Sequence, residues 1–318
     1  MYKLIRIINQ NKKQILIAIL AIVFGISFIQ ILNKMAKDER EEKLNELKNN
    51  SFSYNSSTYN PNYSIISGES VSENTQSTVN TLIDNFMNSC NNGQVQTAYG
   101  LLSKDCKEQL YPTLEDFKNK YYINNFKTKK EYSIQLWNTK NLTYKVELYE
   151  DVLALGKVER DNSIEDFFTI VKEDGQNKLN ISGYVGKTEI NKSETNKGIT
   201  ITANYKNVYK DYEVYNITIE NNTENNILLN SNESTKTIYL KGQKGVKYTA
   251  YIYEINRNDI ELNSYYKVNT NIKFNKKHTT DDSITSMIFS DIVLNADEYE
   301  NVENKLEYKD RIEIQLDM

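Results

Sequence analysis

The most apolar stretch of the chain runs from Ile15 to Leu32 and contains no charged residue. A helix of this length measures about 27 Å, close to the ~30 Å thickness of a hydrocarbon core. The run lacks the polar face of a buried core helix. The small residue after it, Ala36, follows Lys34 closely, which disfavours signal-peptidase cleavage. The pattern therefore predicts an uncleaved transmembrane helix over residues 15–32.

Residues 33–74 have no continuous apolar face. Ala36–Asn50 mixes charges of both signs at helical spacing and predicts a short solvated helix. A coiled coil would need apolar positions over at least three heptads, and only Leu44 and Leu47 are available. Ser51–Asn74 is rich in Ser, Asn and Tyr and predicts a flexible stalk.

Helical spacing of apolar residues begins at Thr75 and stops at Asn91-Asn92-Gly93. The stripe of this first helix consists of Val79, Leu82, Ile83, Phe86 and Met87. A second helix is predicted to bury Val95, Ala98, Tyr99, Leu101 and Leu102. A third helix follows Tyr111-Pro112, with Thr113 as its cap and Leu114, Phe117 and Tyr121 on its inner side.

The period of the pattern changes to two after Lys130. Alternating apolar positions predict strands through Tyr132, Ile134 and Leu136 and through Leu142, Tyr144, Val146 and Leu148. Further strands are predicted over Val152–Val158, Asp166–Lys172 and Lys178–Tyr184, with a turn at Glu173-Asp174-Gly175. Helices followed by a curled antiparallel sheet predict an α+β domain over residues 75–187.

Lys187–Lys197 is uniformly polar and predicts a connector, after which residues 198–318 contain only short strand patterns. Clusters of Asn, Gly and Asp separate these patterns, which is typical of a β-sandwich. The predicted strands are Ile199–Asn204, Glu213–Glu220, Ile227–Asn230, Thr237–Leu240, Lys247–Glu254, Val268–Asn275, Ile284–Leu294 and Asp310–Leu316.

Charge gives an orientation and excludes one class of partner. Residues 1–14 carry +4 and contain no acid, which is typical of a cytoplasmic tail. Basic residues also follow the apolar run, but long domains translocate largely regardless of charge, so we expect residues 33–318 outside the cell. The whole chain carries −4, and the part beyond the tail therefore carries −8. An acidic exterior does not favour nucleic-acid binding.

Few residues could carry metal or cofactor chemistry. His278 is the single histidine, and its polar loop Lys276-Lys277-His278 predicts a surface residue without a special role. No Cys or second His can complete a zinc site with it, and the first domain has no histidine for a catalytic triad. No glycine-rich phosphate-binding motif is present, and Lys241–Gly245 predicts a hairpin turn. Asp281-Asp282 predicts a solvated turn. We therefore assign no catalytic, cofactor-binding or metal-binding residue and expect no cofactor.

Two cysteines, Cys90 and Cys106, are too few for a disulfide framework. If they lie near the ends of successive helices, their Cα atoms are too far apart for a bridge. We favour free thiols, although a single bridge outside the membrane stays open.

The stretch VNTLIDNFMNSCNNGQVQTAYGLLSKDCKEQL resembles the start of nuclear-transport-factor-2-like domains, which are cone-shaped and shared with ketosteroid isomerases. The shared features are the turn at Asn92-Gly93 and the segment Ala98–Ser103. The hairpin FFTIVKEDGQNKLNISGY is similar to the last two strands of that family, although Asn177 stands near the place of its usual Trp.

This resemblance implies the cone-shaped fold and allows one catalytic alternative. Ketosteroid-isomerase relatives place a carboxylate base opposite Tyr or protonated Asp donors in an apolar pocket. The residues here that could line such a pocket or supply its acid are Tyr99, Tyr121, Tyr122, Trp137, Asp84 and Asp166. Both acids lie in runs typical of solvent-facing positions, and aromatic residues on inner faces usually form core, so we expect no enzyme.

The stretch ITIENNTENNILLN is similar to part of the immunoglobulin-like modules on Gram-positive cell surfaces. One anchor followed by cone-shaped domains resembles the conjugation-channel subunits of Gram-positive mobile elements, which usually carry a second cone-shaped domain where this chain has the predicted sandwich. We expect a single-pass membrane protein that binds or scaffolds envelope proteins without catalysis and that can oligomerise. The alternatives are a receptor that binds cell-wall polymer or senses envelope stress, and an enzyme that acts on a small apolar molecule in the cone-shaped pocket.

Overall fold

The computed structural model describes residues 63–150, 163–231, 236–255 and 257–318. The predicted cytoplasmic tail, the transmembrane helix over residues 15–32, the charged helix, the stalk up to residue 62 and the strand Val152–Val158 lie outside these ranges. Within the described ranges, no helix combines the length and apolarity needed to cross a membrane.

The last part of the predicted stalk is docked on the body of the protein. Ile65 N–H donates to Leu136 C=O at 3.0 Å, and Ser64 Oγ donates to Trp137 C=O at 2.7 Å. The prediction of a flexible stalk is therefore wrong for the residues just before the first helix, because their backbone bonds to a neighbouring strand edge.

The helices precede the first sheet, as predicted, but they are more numerous. Ser72 caps the first helix, whose predicted apolar stripe is entirely buried. The sequence did not indicate the third helix, which Ser103 caps. Thr113 caps the fourth, as predicted, but Leu114 is exposed and only Phe117 and Tyr121 face the core. The helices are α1 (Glu73–Asn91), α2 (Val95–Gly100), α3 (Lys104–Leu110), α4 (Leu114–Phe117), a π-helical turn (Lys118–Tyr122) and α5 (Ile123–Asn125).

Four antiparallel strands then form a curled sheet in chain order. They are β1 (Lys130–Asn138), β2 (Thr143–Glu150), β3 (Ile164–Glu173) and β4 (Gln176–Asn180). The predicted turn between β3 and β4 is confirmed: Asp174 and Gly175 both have positive φ, which a two-residue hairpin of this twist requires. Phe86 of α1 meets Phe168 of β3 edge to face with ring centroids 5.5 Å apart, so α1 packs in the curl of the sheet.

The predicted polar connector is a strand. β5 (Tyr184–Asn196) covers most of Lys187–Lys197 and pairs with the next strand, β6 (Ile199–Tyr209), from Tyr184 to Asn196. It forms the edge of its sheet, and most of its side chains after Gly186 are exposed. An edge strand gains its stability from backbone pairing and needs few apolar residues, which is why its composition resembled a loop.

The remaining strands form two sheets that share one buried cluster of apolar residues. Besides β5 and β6, the strands are β7 (Glu213–Asn221), β8 (Ile227–Leu228), β9 (Ile238–Gly242), β10 (Lys247–Thr249), β11 (Glu261–Leu262), β12 (Lys267–Phe274), β13 (Ile284–Val293) and β14 (Arg311–Asp317). One sheet has the order β12-β7-β6-β5, and the other contains β8, β9, β10, β11, β13 and β14.

Most of the predicted strands in this region are confirmed within a few residues. The predicted strand Lys247–Glu254 ends at Thr249 and continues as a 3₁₀ turn, Ile252–Glu254. Two short helices, α6 (Arg257–Ile260) and α7 (Ala296–Asn301), were not expected. Their brevity leaves no apolar period to detect, although Asn295 is a recognisable cap of α7.

Candidate functional site

The helices and curled sheet of residues 73–180 meet the sheets of residues 184–318, here called the second region, at a junction called the seam. The β6–β7 hairpin and the end of the curled sheet form this junction. Asn207 Nδ2 donates to Gln109 Oε1 at 2.7 Å, and Tyr184 Oη donates to Asn207 Oδ1 at 3.0 Å. Lys210 N–H donates to Gly183 C=O at 2.8 Å. The seam is therefore a bonded part of the fold, with β5 running continuously through it.

A cleft of about 350 Å³ opens at the seam and is here called the seam cleft. Tyr209 and Tyr212 stack on one side of it with ring centroids 4.5 Å apart. Lys210 Nζ lies 3.3 Å from Glu165 Oε1 and 3.8 Å from the Phe167 ring centroid. The lining residues are Tyr121, Asn125, Ile164, Glu165, Asp166, Phe167, Ser182, Gly183, Tyr209, Lys210, Asp211 and Tyr212.

Asp166 is the buried acid of the seam cleft, and it faces Tyr121. Tyr121 Oη donates to Asp166 Oδ2 at 3.0 Å, and Phe167 N–H donates to Asp166 Oδ1 at 2.6 Å. Burial raises the pKa of Asp166 to about 7, while hydrogen bonds from Phe167, Tyr121 and the backbone at Ser182 and Gly183 act in the opposite direction. The expectation that Asp166 faces solvent is wrong, because its carboxylate is buried between Tyr121 and the turn at Ser182 and Gly183.

The contacts of Asp166 indicate what the carboxylate does. Its oxygens are bonded to Tyr121 and to the backbone of its own strand, and it lies against the turn between β4 and β5. Tyr111 Oη and Ser182 Oγ are 2.7 Å apart and hold the same turn from the other side. These bonds tie β3 and Tyr121 to the turn between β4 and β5.

The other residues considered for a catalytic pocket are scattered. Tyr99 Oη donates to Tyr111 C=O at 2.9 Å, and Tyr122 stacks on Phe126. Asp84 is exposed on α1 and accepts a hydrogen bond from Tyr132. Trp137 packs against Phe167 with centroids 4.9 Å apart. Of the six residues named in the sequence, only Tyr121 and Asp166 share the cleft.

His278 is not an isolated loop residue. The Nδ2 atoms of Asn141 and Asn138 lie 3.0 and 3.3 Å from the ring Nε2 of His278. The backbone N–H of His278 donates to Lys210 C=O at 2.9 Å. Burial, followed by the charge of Lys276, lowers the pKa of His278 to about 4. The neutral ring therefore joins the β12–β13 loop to the β1–β2 turn across the seam. Its chain neighbours are polar, so only tertiary structure reveals this contact.

Beneath that loop lies a buried ion cluster. Glu213 is 2% exposed and Lys276 is 7% exposed, and the Lys276 Nζ to Glu213 Oε1 distance is 2.9 Å. Lys206 Nζ and Tyr215 Oη lie 3.1 and 2.8 Å from Glu213 Oε2. These contacts fix the strands β6 and β7 to the loop that carries His278.

The predicted turn at Lys241–Gly245 is confirmed, but Asp282 is not solvated as expected. Lys244 N–H donates to Asp282 Oδ1 at 3.0 Å, and Tyr248 Oη donates to Asp282 Oδ2 at 2.8 Å. Asp282 is 6% exposed and packs directly on Gly242. Of the two adjacent aspartates that were expected to be solvated, Asp281 is exposed and Asp282 holds the hairpin.

Cys90 and Cys106 are free and buried, in agreement with the prediction of unbridged thiols. Burial raises the pKa of each thiol to about 12, so neither is a nucleophile near neutral pH. Among the residues with described positions, no group of three His, Cys, Asp or Glu side chains is arranged to hold a metal ion.

Comparison of the chain with protein-family models, with curated proteins and with solved structures gave no significant match in any of the three cases. Function must therefore be inferred from the contacts of the described residues and from the sequence.

The raised pKa of Asp166 predicts an unusual pH dependence of stability. Between about pH 4 and pH 7 the unfolded chain has lost the proton while the folded chain retains it, so stability should fall as pH rises through this window. The free energy of unfolding should fall by about a few kcal/mol across this window, and Asp166→Asn should remove that fall. Chemical denaturation of both proteins at several pH values measures it, and parallel profiles would contradict the assignment.

Proposed function

We propose that this chain is a single-pass membrane protein whose part beyond residue 32 binds or scaffolds other envelope components without catalysis. The observation that carries the proposal is the state of the cleft acid: both Asp166 oxygens are bonded within the fold. The seam cleft offers aromatic and polar side chains for recognition. The apolar run Ile15–Leu32 and the basic tail before it support the membrane anchor and the outward orientation.

The architecture supports two module assignments within this proposal. Helices packed into the curl of β1–β4 support a nuclear-transport-factor-2-like first module. In the second region β6, β7 and β12 share one sheet, whereas β9, β13 and β14 share the other. The chain crosses between the two sheets after β7, after β11 and after β12, which is consistent with immunoglobulin-like connectivity. Such modules support membership of a conjugation or secretion assembly.

Site-directed photo-crosslinking in membranes tests the binding role. A photoreactive residue at Asp211, which is exposed on the lip of the seam cleft, should crosslink to an envelope component. The same residue at Lys309, which is exposed and does not line the cleft, is the matched control. A defined adduct from position 211 alone supports the proposal. No adduct from position 211, or the same adducts from both positions, contradicts it.

A second candidate function is an isomerase-like activity on a small apolar molecule. It is favoured by one observation, the buried Asp166 facing Tyr121 beside a cleft. Protein with Tyr121→Phe keeps the ring and loses only the hydroxyl donor. If the cellular role depends on chemistry at this pair, Tyr121→Phe should abolish it while leaving the position-211 adduct intact. If the role is binding, the Tyr121→Phe protein should fully complement a strain that lacks this protein.

A further inference from the structure

The first described residues, 63–70, form a closed turn that is here called the tip loop. Its ends meet, because Tyr63 and Ser70 pair as an antiparallel bridge. Its centre is the buried Ser64, whose hydroxyl oxygen accepts two backbone N–H groups of the loop at 3.2 and 3.1 Å. The same hydroxyl donates to Trp137 C=O at 2.7 Å, which ties the loop to the end of β1. The fold therefore fixes the conformation of the tip loop.

The tip loop presents apolar side chains to solvent. Tyr63 and Ile65 are each 50% exposed, and Ile66 is 42% exposed. In the described ranges, Ile65 and Ile66 are the only two adjacent large aliphatic residues that are both exposed. The bonds that hold the turn come from the backbone and from Ser64, so they do not require an apolar side chain at either position. The two isoleucines are therefore available to an external apolar phase.

The surroundings of the tip loop are electrically balanced. Its one charged residue is Glu69, whose carboxylate accepts a hydrogen bond from Thr139 Oγ1 in the β1–β2 turn. That turn contains one charged residue as well, the exposed Lys140. The loop and the turn together carry no net charge, so an attraction at this place must come from apolar surface.

The tip loop is also the part of the described chain that lies nearest in sequence to the predicted membrane anchor. Thirty residues, 33–62, separate it from Leu32. A chain of that length spans at most about 100 Å when fully extended and about 30 Å as a coil. The loop can therefore reach the membrane surface, and its attachment to the anchor keeps its local concentration there high.

The chemistry of the exposed side chains fits the boundary between water and lipid. Tyrosine is enriched at membrane interfaces, and isoleucine gains free energy when it leaves water. Burying the exposed parts of the two isoleucines favours a docked state by about tenfold. We propose that the tip loop inserts Tyr63, Ile65 and Ile66 into the interface of the membrane that holds the anchor. This inference rests on the membrane anchor of the proposed function and adds a second, reversible contact with lipid.

The contact depends on the anchor. Two aliphatic side chains bind a membrane more weakly than one myristoyl chain, whose own binding is already marginal and reversible. A body that has been cut from the anchor should therefore leave the membrane, and the test needs the full-length chain.

Quenching by lipid in the full-length chain, reconstituted into phosphatidylcholine vesicles, tests the inference. Ser67→Cys in the tip loop carries an environment-sensitive fluorophore, and Cys90 and Cys106 do not compete for the label because they are buried. Lipids with a doxyl quencher on the acyl chain should quench this label, and added salt should leave the quenching unchanged because the contact is apolar. The same label at Leu306→Cys, an exposed position of the second region, should not be quenched.

Two double variants of the labelled Ser67→Cys chain separate docking from proximity to the anchor. Ile65→Ser/Ile66→Ser should lower the ratio of docked to free tip loop about tenfold and remove most of the quenching. Val246→Ser/Leu306→Ser removes two exposed aliphatic residues outside the tip loop and should leave the quenching unchanged.

Three results would overturn the inference: no quenching at position 67, quenching that survives Ile65→Ser/Ile66→Ser, or equal quenching at positions 67 and 306. In these cases a chain that stays with the vesicles after alkaline extraction would still support the anchor, and a position-211 adduct would still support the binding role. A chain that alkaline extraction removes would contradict the anchor, and the docking with it. Failure of the docking is therefore distinguishable from failure of the proposed function.

Discussion

Replacing Glu213 with Gln should lower the free energy of unfolding by about 3–5 kcal/mol, because it leaves Lys276 as an uncompensated buried cation. Lys276 is 7% exposed and its ammonium lies 2.9 Å from Glu213 Oε1. Lys206 would lose the same partner. The loss should appear as a lower denaturation midpoint with an unchanged slope. Replacing both members, as Glu213→Gln/Lys276→Met, should recover part of the loss.

Two further measurements define this result. The exposed pair Lys104–Glu108, 3.8 Å apart, is the matched control, and Glu108→Gln should cost no more than about 0.5 kcal/mol. Burial acts to raise the pKa of Glu213, but the charges of Lys206 and Lys276 together outweigh it, so the pKa is lowered overall. The cluster therefore stabilises the fold above the ordinary glutamate pKa, and this stabilisation is lost as pH falls through the folded-state value. Equal effects of Glu213→Gln and Glu108→Gln would contradict a buried ion cluster.

The second large effect is expected at Gly242, the last residue of β9. A Cβ at this position would lie inside the van der Waals surface of the Asp282 carboxylate. That carboxylate is held by Lys244 N–H and Tyr248 Oη, so it cannot move without breaking the bonds that shape the hairpin. Gly242→Ala should therefore destabilise the protein by about 3 kcal/mol.

Thermal denaturation of Gly242→Ala against a glycine that has room for a methyl group checks this expectation. Apart from its chain neighbours and the backbone of its own helix, Gly100 in α2 has no atom within 4 Å of the place a methyl group would take, and its φ is not positive. Gly100→Ala should leave stability unchanged or raise it slightly, since alanine is the better helix former. A Gly242→Ala protein as stable as Gly100→Ala would show that Asp282 does not occupy the space above Gly242.

Periodicity sufficed for elements that bury one clear face. The stripe Val79–Met87 is fully buried in α1, and the alternation at Tyr144, Val146 and Leu148 marks the inner face of β2. The Asp174-Gly175 turn was predictable because both positions need a positive φ. In each of these elements, burial of one face dictates the residue types directly.

Elements held by backbone pairing or by long-range contacts were not predictable. β5 is an exposed edge strand, so its side chains carry no burial pattern. Asp166, Asp282 and His278 are polar residues that neighbours distant in sequence surround and bond. Local sequence shows the charge of such a residue but not whether its partner is water or protein.

The candidate sites divide along the same line. The pair Tyr121–Asp166 could be proposed from the sequence, because the family resemblance made both residues candidates for a cone-shaped pocket. The contribution of Tyr209, Lys210 and Tyr212 to the seam cleft was not, because they belong to a hairpin assigned to the following region.

The central claim is that the apolar run Ile15–Leu32 anchors the protein with the described body on the outer side of the membrane. Protease added to intact protoplasts, followed by detection of the C-terminus, tests it most directly. We predict that cleavage between the anchor and residue 63 releases a C-terminal fragment into the medium, whether or not the cells are lysed. A chain that stays full-length on intact protoplasts and is cut only after lysis would place the body in the cytoplasm and contradict the account.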